Sequence, residues 1–170
     1  MRSSAPRGSL IQFRELLRLL VEAKLDFVVV GGLAATIHGV AEPTRDLDVC
    51  ISPTPDTWTK VADFIRPLHP RYALTPDKRP IEATAAALSS FNNLYVLTDL
   101  GRVDFLGEVP PLGTLDAVAK NAVEVEVDAL KLRVISIDDL ITVKEHVRRP
   151  KDLEHSAELR AIRDALKSRK

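Results

Sequence analysis

Residues 27–51 read FVVVGGLAATIHGVAEPTRDLDVCI, and this stretch decides the fold. Its opening run, Phe27 to Val30, is short and β-branched, which favours a strand that ends at Gly31-Gly32. Leu33 to His38 is then predicted to form a helix, and Gly39 is a suitable residue to end it. The sequence therefore predicts a strand, a glycine turn and a helix in direct succession.

A second strand is predicted from Leu47 to Ile51, where polar and apolar residues alternate. Side chains two positions apart on a strand point to the same face, so Asp46 and Asp48 are expected to present neighbouring carboxylates. Two adjacent anions repel each other, and Mg²⁺ or Mn²⁺ between them would relieve that repulsion. The alternative is a solvated strand end whose aspartates bond local backbone or Arg45.

Two further features add to this pair of carboxylates. Gly31 and Gly32 would let the backbone approach a phosphate, because a helix N-terminus offers free N–H groups and a positive dipole end; a plain tight turn is the alternative. Asp104 is a third acid, in an otherwise apolar predicted strand, where burial without a partner would be expensive. Together these features suggest a two-metal phosphoryl-transfer site.

The rest of the chain alternates predicted helices and strands. The predicted elements are a helix Leu10–Lys24 with Ser9 as its N-cap, a helix Thr57–Leu68, an irregular stretch Pro67–Ser90 with room for one short strand or helix, a hairpin of Asn93–Thr98 and Arg102–Leu106, a short helix Thr114–Asn121, a hairpin of Val123–Val127 and Leu130–Ile135, a helix Ile137–Arg148 capped by Ser136, and a last helix that starts near Asp152 and reaches Leu166. We therefore expect an α/β or α+β fold, a small mixed sheet flanked by helices.

The amino-acid composition limits the kinds of function that this chain can have. The chain has 170 residues, of which 45% are hydrophobic and 28% charged, which is typical of one folded domain over 1–170, with a core at 27–135 and C-terminal helices at 136–167. Its 24 basic and 24 acidic residues balance, which argues against nucleic-acid binding through overall charge. Cys50 is the single cysteine, so no internal disulfide can form, and we expect a cytoplasmic protein.

The stretch quoted first resembles the nucleotidyltransferase core of the DNA polymerase beta superfamily. That family's pattern is a strand, Gly-Gly or Gly-Ser at a helix start, and an Asp-x-Asp strand, and Asp104 falls where the family has its third carboxylate. The later run ISIDDLITVKEHVRRPKDLEHSAELRAI is similar to the ending of small bacterial nucleotidyltransferases, including the abortive-infection toxin type. The resemblance covers Phe27 to Ile162.

The resemblance implies a Mg²⁺- or Mn²⁺-dependent enzyme that moves a nucleoside monophosphate from an NTP such as ATP to an acceptor hydroxyl, with pyrophosphate leaving. Asp46 and Asp48 would hold both metal ions, and Asp104 would complete the one that activates the acceptor. Gly31 and Gly32 would seat the β- and γ-phosphates.

Lys144 and Lys151 match basic positions of the family and would neutralise the triphosphate or the acceptor; a solvated helical face is the alternative for both. The acceptor stays open among RNA, protein and small molecules such as aminoglycosides, and a toxin role would add an antitoxin partner. Two other functions stay open as well: a catalytically silent nucleotide-binding or protein-interaction module, and a hydrolase that uses water as the nucleophile.

The chain also departs from the family pattern. Many relatives have serine where this chain has Gly32, so its backbone N–H groups would have to hold the triphosphate alone. Relatives often have arginine at the position aligned with Glu42, and often an acid where His155 stands, beyond the expected catalytic core. His38, Trp58 and Cys50 are predicted to have structural roles.

Overall fold

The computed structural model describes residues 6–169, with side chains described from residue 13 onward. Its centre is a seven-stranded mixed sheet in the order β3-β4-β5-β2-β1-β7-β6. The elements in chain order are α1 Pro6–Glu22, β1 Val28–Val30, α2 Gly31–His38, β2 Asp46–Cys50, α3 Pro55–Ile65, a 3₁₀ turn Arg66–Leu68, β3 Arg71–Tyr72, α4 Ala85–Leu88, β4 Asn93–Thr98, β5 Gly101–Leu106, α5 Leu115–Ala119, β6 Val123–Val127, β7 Leu130–Val134, α6 Ile137–Val147 and α7 Pro150–Lys167. The mixed sheet with flanking helices confirms the predicted fold class.

The middle of the sheet brings the acidic residues together. Strand β2 runs antiparallel to β1 and parallel to β5. The register places Asp48 opposite Val30 on one side and opposite Asp104 on the other. Strand β1 leads directly into α2 at Val30, so the acids lie beside the start of that helix.

The hydrophobic core explains why these strands lie in the middle. All three valines of β1 are buried, and Leu47, Val49 and Phe105 on β2 and β5 are fully buried. Helix α1 contributes Phe13 and other apolar residues of one face, and α3 contributes Trp58. Buried apolar strands of this kind lie in the middle of a sheet that helices cover.

Several local predictions are confirmed. The hairpin of β4 and β5 has the predicted bounds apart from Gly101, which joins the strand, and the hairpin of β6 and β7 turns at Asp128 and Ala129, both with positive φ. Ser136 caps α6, because its Oγ accepts a hydrogen bond from the Asp139 N–H. These features depend on local turn and cap chemistry, which a short stretch of sequence carries by itself.

Other boundaries differ from the prediction. Helix α1 begins at Pro6, so Ser9 lies inside the helix and is not its N-cap; the side chain of Leu10 lies outside the described part. Helix α7 begins at Pro150 with Arg149 as its N-cap, two residues before Asp152. Proline suits the first position of a helix because its φ is fixed near the helical value and it has no N–H to leave unpaired.

The region around α2 and the stretch 67–90 also differ. Helix α2 begins at Gly31 itself, so no separate glycine turn precedes it. Helix α3 ends at Ile65, and the irregular stretch, predicted to have room for one short strand or helix, contains one of each, β3 and α4. Strand β3 has two residues and α4 has four, which is too short for a periodic pattern to show in the sequence.

Among residues 6–169, the helices include none that combines the length and the apolar character needed to cross a bilayer.

Candidate active site

A cleft of about 670 Å³ lies where β1 passes into α2. Six of the seven predicted site residues line it, namely Gly31, Gly32, Asp46, Asp48, Lys144 and Lys151. The seventh, Asp104, is 5% exposed and lies under the cleft as the cross-strand neighbour of Asp48. The structure thus brings together residues separated by more than a hundred positions in the chain.

Gly31 lets the carboxylate of Asp48 lie directly against the first turn of α2. A Cβ at position 31 would lie 2.1 Å from Oδ2 of Asp48, and the φ of Gly31 is +69°. Both observations exclude a larger residue, since no side chain fits that gap and L residues rarely adopt that φ. The glycine therefore sets how close the helix start and the carboxylate come.

Gly32 is covered by a threonine hydroxyl. A Cβ at position 32 would lie 2.6 Å from Oγ1 of Thr44. That hydroxyl donates to the carbonyl oxygen of Asp46 at 3.2 Å, and Thr44 lines the cleft. A hydroxyl group thus lies beside the helix start although position 32 itself has none. Sequence reasoning missed Thr44, because only the folded loop brings it over Gly32.

Arg102 is the cation that contacts the acidic residues. Its Nε and Nη2 donate to the two carboxylate oxygens of Asp104 at 2.9 and 3.0 Å, and its Nε lies 3.8 Å from Oδ1 of Asp46. Arg45, considered in the sequence as a partner of the aspartates, is exposed and takes no part. The alternation of β5 could have indicated Arg102, since it lies two positions before Asp104 and so on the same face.

The electrostatics of the acidic residues differ from one to the next. Burial and the charge of neighbouring Asp104 raise the pKa of Asp48 to about 8. Burial also raises the pKa of Asp104, against the opposing effect of Arg102. Asp46 is half exposed. Asp48 is therefore the carboxyl group that gains most from a further positive charge in the cleft.

The donor set is chemically suited to a hard divalent cation, because carboxylate oxygens are the ligands that Mg²⁺ and Mn²⁺ prefer. The described residues nevertheless contain no group of three or more His, Cys, Asp or Glu side chains already arranged as metal ligands. Both oxygens of Asp104 are engaged by Arg102. The residues thus fit a metal ion by their chemistry, while Arg102 already takes one lone pair on each oxygen of Asp104.

The two predicted basic residues are already paired with acids. Lys144 is 8% exposed, and its Nζ donates to Asp152 at 3.3 Å, so the interpretation as a solvated helical face is wrong for this residue. The Nζ of Lys151 lies 3.1 Å from Oε1 of Glu42. Each lysine faces the cleft with part of its charge balanced.

His155 and Glu42 contact each other across the cleft. Nε2 of His155 lies 2.6 Å from Oε2 of Glu42, and His155 is 5% exposed. His155 lines the same cleft as Asp48, although the sequence predicts that it lies beyond the core at 27–135. Two of the three positions that depart from the family pattern, Glu42 and His155, are therefore in direct contact.

Three residues have the surroundings expected of structural roles. His38 donates from Nε2 to the carbonyl oxygen of Ile135 at 2.7 Å. Trp58 is 1% exposed within the core. Burial raises the pKa of the Cys50 thiol to about 11, which keeps it in the unreactive thiol form.

Sequence comparison finds no relative: the chain matches no protein-family model and no curated protein. Comparison of the structure with solved structures does find matches. The lincosamide antibiotic adenylyltransferase LnuA, in its lincomycin-bound form, has a TM-score of 0.60 at 13% identity, over 89% of this chain and 96% of LnuA.

Two further solved structures match over nearly the whole chain. TM1012 of Thermotoga maritima, provisionally assigned as a nucleotidyltransferase, has a TM-score of 0.55 at 15% identity over 95% of each chain. The antibiotic-resistance factor ANT(2'')-Ia has a TM-score of 0.55 at 14% identity, over 95% of this chain and 92% of that protein. The chain therefore has the nucleotidyltransferase fold, as the sequence resemblance implies.

Proposed function

We propose that the protein is a divalent-metal-dependent nucleotidyltransferase that moves a nucleoside monophosphate from an NTP to a hydroxyl of an acceptor. The observation that carries this proposal is the contact of Asp48 with Gly31, because it joins a carboxylate to the start of a helix in one cleft. A cleft of about 670 Å³ is of the size that binds a nucleotide or a drug-sized molecule.

Each predicted site residue would have a distinct role in the proposed reaction. Asp46, Asp48 and Asp104 would hold the cations, which supply charge neutralisation at the transferred phosphate and lower the pKa of the attacking hydroxyl. The N–H groups at Gly31 and Gly32 would bind the outer phosphates. Catalysis in such a site consists mainly of positioning and charge stabilisation, so no side chain needs to form a covalent bond.

Lys144 and Lys151 belong to the opposite wall of the cleft. Their pairing with Asp152 and Glu42 leaves each ammonium group further N–H donors, since a lysine has three. A triphosphate in the cleft would add an acceptor to each of them. We therefore keep both lysines as proposed nucleotide-binding residues.

Two structural neighbours favour a small molecule as the first acceptor to test. LnuA is an adenylyltransferase of a lincosamide antibiotic, and ANT(2'')-Ia has been solved with adenylyl-2''-tobramycin. Hydroxyl groups of RNA and of proteins are the next acceptor classes to test. A toxin role, and with it an antitoxin partner, would follow only from an RNA or protein acceptor.

A catalytically silent module with the same fold is the second candidate. The observation that favours it is the pair formed by Arg102 and Asp104, because a permanent pair would leave the third carboxylate without a ligand role. A hydrolase that uses the same residues is separated from a transferase by its product, which is free nucleotide in place of a labelled acceptor.

The test is calorimetric titration of each of the four NTPs, with Mg²⁺, into the wild type and the double variant Asp46→Asn/Asp48→Asn. We expect metal-dependent binding of at least one NTP, lost in the variant because two metal-binding charges are removed. The matched control is Glu124→Gln/Glu126→Gln, which removes two charges with the same spacing from exposed residues of edge strand β6.

Binding that persists in the variant would contradict the assignment of the two aspartates. No binding by the wild type, with or without lincosamide and aminoglycoside acceptors present, would favour the silent module. If binding is found, incubation with a labelled NTP and candidate acceptors then separates transfer from hydrolysis.

A further inference from the structure

Arg102 contacts both oxygens of Asp104, the least exposed of the three predicted metal-ligating aspartates. The two hydrogen bonds to Asp104, at 2.9 and 3.0 Å, form a bidentate pair, the strongest geometry available to an arginine and a carboxylate. Asp104 is 5% exposed, so its charge has little solvent to stabilise it. Arg102 therefore supplies most of the stabilisation that this carboxylate receives.

The strand register places Arg102 among all three acids. Arg102 and Asp104 are two residues apart on β5, and they pair across the strands with Asp46 and Asp48 respectively. The guanidinium also lies 5.9 Å from the ring centroid of Tyr95 on the neighbouring strand β4. The side chain of Arg102 is 28% exposed, so it has a route from the acids towards solvent.

We propose that Arg102 is the internal counter-ion of this site, which holds Asp104 in the metal-free protein and releases it when a divalent cation binds. This inference rests on the proposed function, because it takes the three carboxylates to be the metal ligands. It adds a residue that the sequence analysis did not name and assigns it a positioning role.

The replacement of Arg102 by a divalent cation as the partner of Asp104 follows from the charges and lone pairs of the acidic residues. Three carboxyl groups face one guanidinium, so a single arginine leaves most of their negative charge unbalanced when they are ionised. The bidentate contact takes one lone pair on each oxygen of Asp104, so a divalent cation could bind only through the remaining lone pairs, close to the positive charge of the guanidinium. Arg102 thus competes with the metal for Asp104, and it stabilises the fold while no metal is bound.

If Arg102 competes with the metal, its removal should raise the metal affinity. Removal of a metal-ligating residue, or of a residue that supports one, would lower it. Removing Arg102 should strengthen metal binding, since the cation would then bind Asp104 without a positively charged group that shares its oxygens. The charge-assisted hydrogen bonds of Arg102 with Asp104 have a net strength that corresponds to roughly a tenfold change in affinity or more. The same substitution should destabilise the metal-free protein, because Asp104 loses its partner while it remains buried.

The experiment measures Mn²⁺ and Mg²⁺ affinity by calorimetry, and Tm with and without the metal, for the wild type and Arg102→Gln. We expect metal binding about tenfold tighter in the variant, a lower Tm without metal, and a larger rise in Tm on metal addition. Arg163→Gln is the matched control, since it removes one arginine from a pair with Asp138 that lies outside the cleft.

Two further variants keep the outcome clear. Arg102→Lys retains the positive charge without the bidentate contact, so its metal affinity should lie between those of the wild type and Arg102→Gln. This variant replaces Arg102→Gln in the experiment if the glutamine variant does not fold. In an Asp104→Asn background, Arg102→Gln should change metal affinity little, because the competition for Asp104 no longer exists.

Equal or weaker metal binding by Arg102→Gln, beside a wild type that binds metal, would overturn the role of Arg102 and leave the metal site standing. Failure of wild type and all variants to bind metal, with and without ATP, would overturn the proposed metal site itself and the inference with it.

Discussion

At the scale of single residues, Asp152 is the buried acid whose charge is best compensated. It is 2% exposed and accepts hydrogen bonds from Nζ of Lys144 at 3.3 Å and Nε of Arg149 at 2.7 Å. Burial works to raise the pKa of Asp152, but Arg149 and Lys144 together hold it below the ordinary value of 3.8. Its carboxylate therefore joins α6 to the first turn of α7.

We predict that Asp152→Asn lowers the free energy of unfolding at pH 7 by about 3 kcal/mol, because Lys144 keeps a buried charge without its partner. Since the folded pKa lies below the unfolded one, the stabilisation from Asp152 is present above about pH 4 and is lost as the pH falls through the folded value. Urea unfolding at pH 7 and pH 3 checks both points, and the variant should lose less stability than wild type on acidification.

The control for this prediction is Asp164→Asn, an exposed aspartate on the same helix. It should change the free energy of unfolding by less than about 0.5 kcal/mol at either pH, as surface substitutions do. Equal effects of the two variants would show that the burial of Asp152 does not matter.

At the scale of elements, the junction of β1 and α2 depends on Gly31. The strand passes into the helix without an intervening turn, and Gly31 takes the first helical position with a positive φ. The sequence predicted a separate glycine turn here, and that prediction was wrong because the helix begins at Gly31, directly after the last residue of the strand. What requires the glycine is the carboxylate of Asp48 above it.

We predict that Gly31→Ala lowers the free energy of unfolding by roughly 2 kcal/mol or more, from the strained φ together with the overlap with Asp48. Gly113→Ala is the control for a positive φ without overlap, since its Cβ would meet nothing closer than 3.6 Å and its φ of +117° lies further from the left-handed range open to L residues than the +69° of Gly31. In chemical denaturation, a loss of stability in Gly31→Ala that exceeds the loss in Gly113→Ala must therefore come from the overlap with Asp48.

A double-variant cycle identifies the overlapping group. In an Asp48→Ala background the loss caused by Gly31→Ala should shrink towards that of Gly113→Ala, because the carboxylate oxygen is gone. An unchanged loss would mean that Asp48 is not the obstacle.

At the scale of the whole molecule, α7 closes the cleft by contacts with the loop between α2 and β2. Lys151 and His155 both reach Glu42 at 3.1 and 2.6 Å, and the Ala41 N–H donates to Glu158 at 3.2 Å. Hydrogen bonds with His155 and Lys151 hold the pKa of Glu42 below its usual range. One helix face thus fixes the loop that leads to Asp46.

We predict that the acidic and basic side chains at positions 42 and 155 can be exchanged in a double variant with little loss of stability. Glu42→Arg alone would face Lys151 with a like charge, and His155→Asp alone would bring a second acid beside Glu42, so each should lower Tm and speed amide exchange in residues 40–45. The double variant should recover most of both losses, with a coupling of about 1 kcal/mol or more. Thermal unfolding and hydrogen exchange check this.

If the losses of stability caused by the two single substitutions simply add in the double variant, Glu42 and His155 are not directly coupled. Glu158→Gln is the control, because it removes an exposed contact of the same helix with the same loop and leaves the pair intact. It should cause a smaller change in exchange, confined to the region of Ala41.

The sequence by itself determined the elements whose causes are local. Alternation indicated β2 and the hairpin of β6 and β7, turn residues indicated the hairpin of β4 and β5, and a cap indicated α6. The Asp46-Leu47-Asp48 spacing on a strand placed two carboxylates on one face. These features need only a few neighbouring residues, so a linear pattern carries them. The division into one domain over 1–170 and the roles of the site residues stay predictions.

The tertiary structure alone decided which groups meet. It put Asp104 beneath the cleft with Arg102 on both its oxygens, Thr44 over Gly32, and His155 against Glu42 from a position 113 residues away. Each contact depends on how distant segments pack and on how much solvent that packing removes. Burial and spatial distance are properties of the assembled sheet and helices, and no local pattern of residues encodes them.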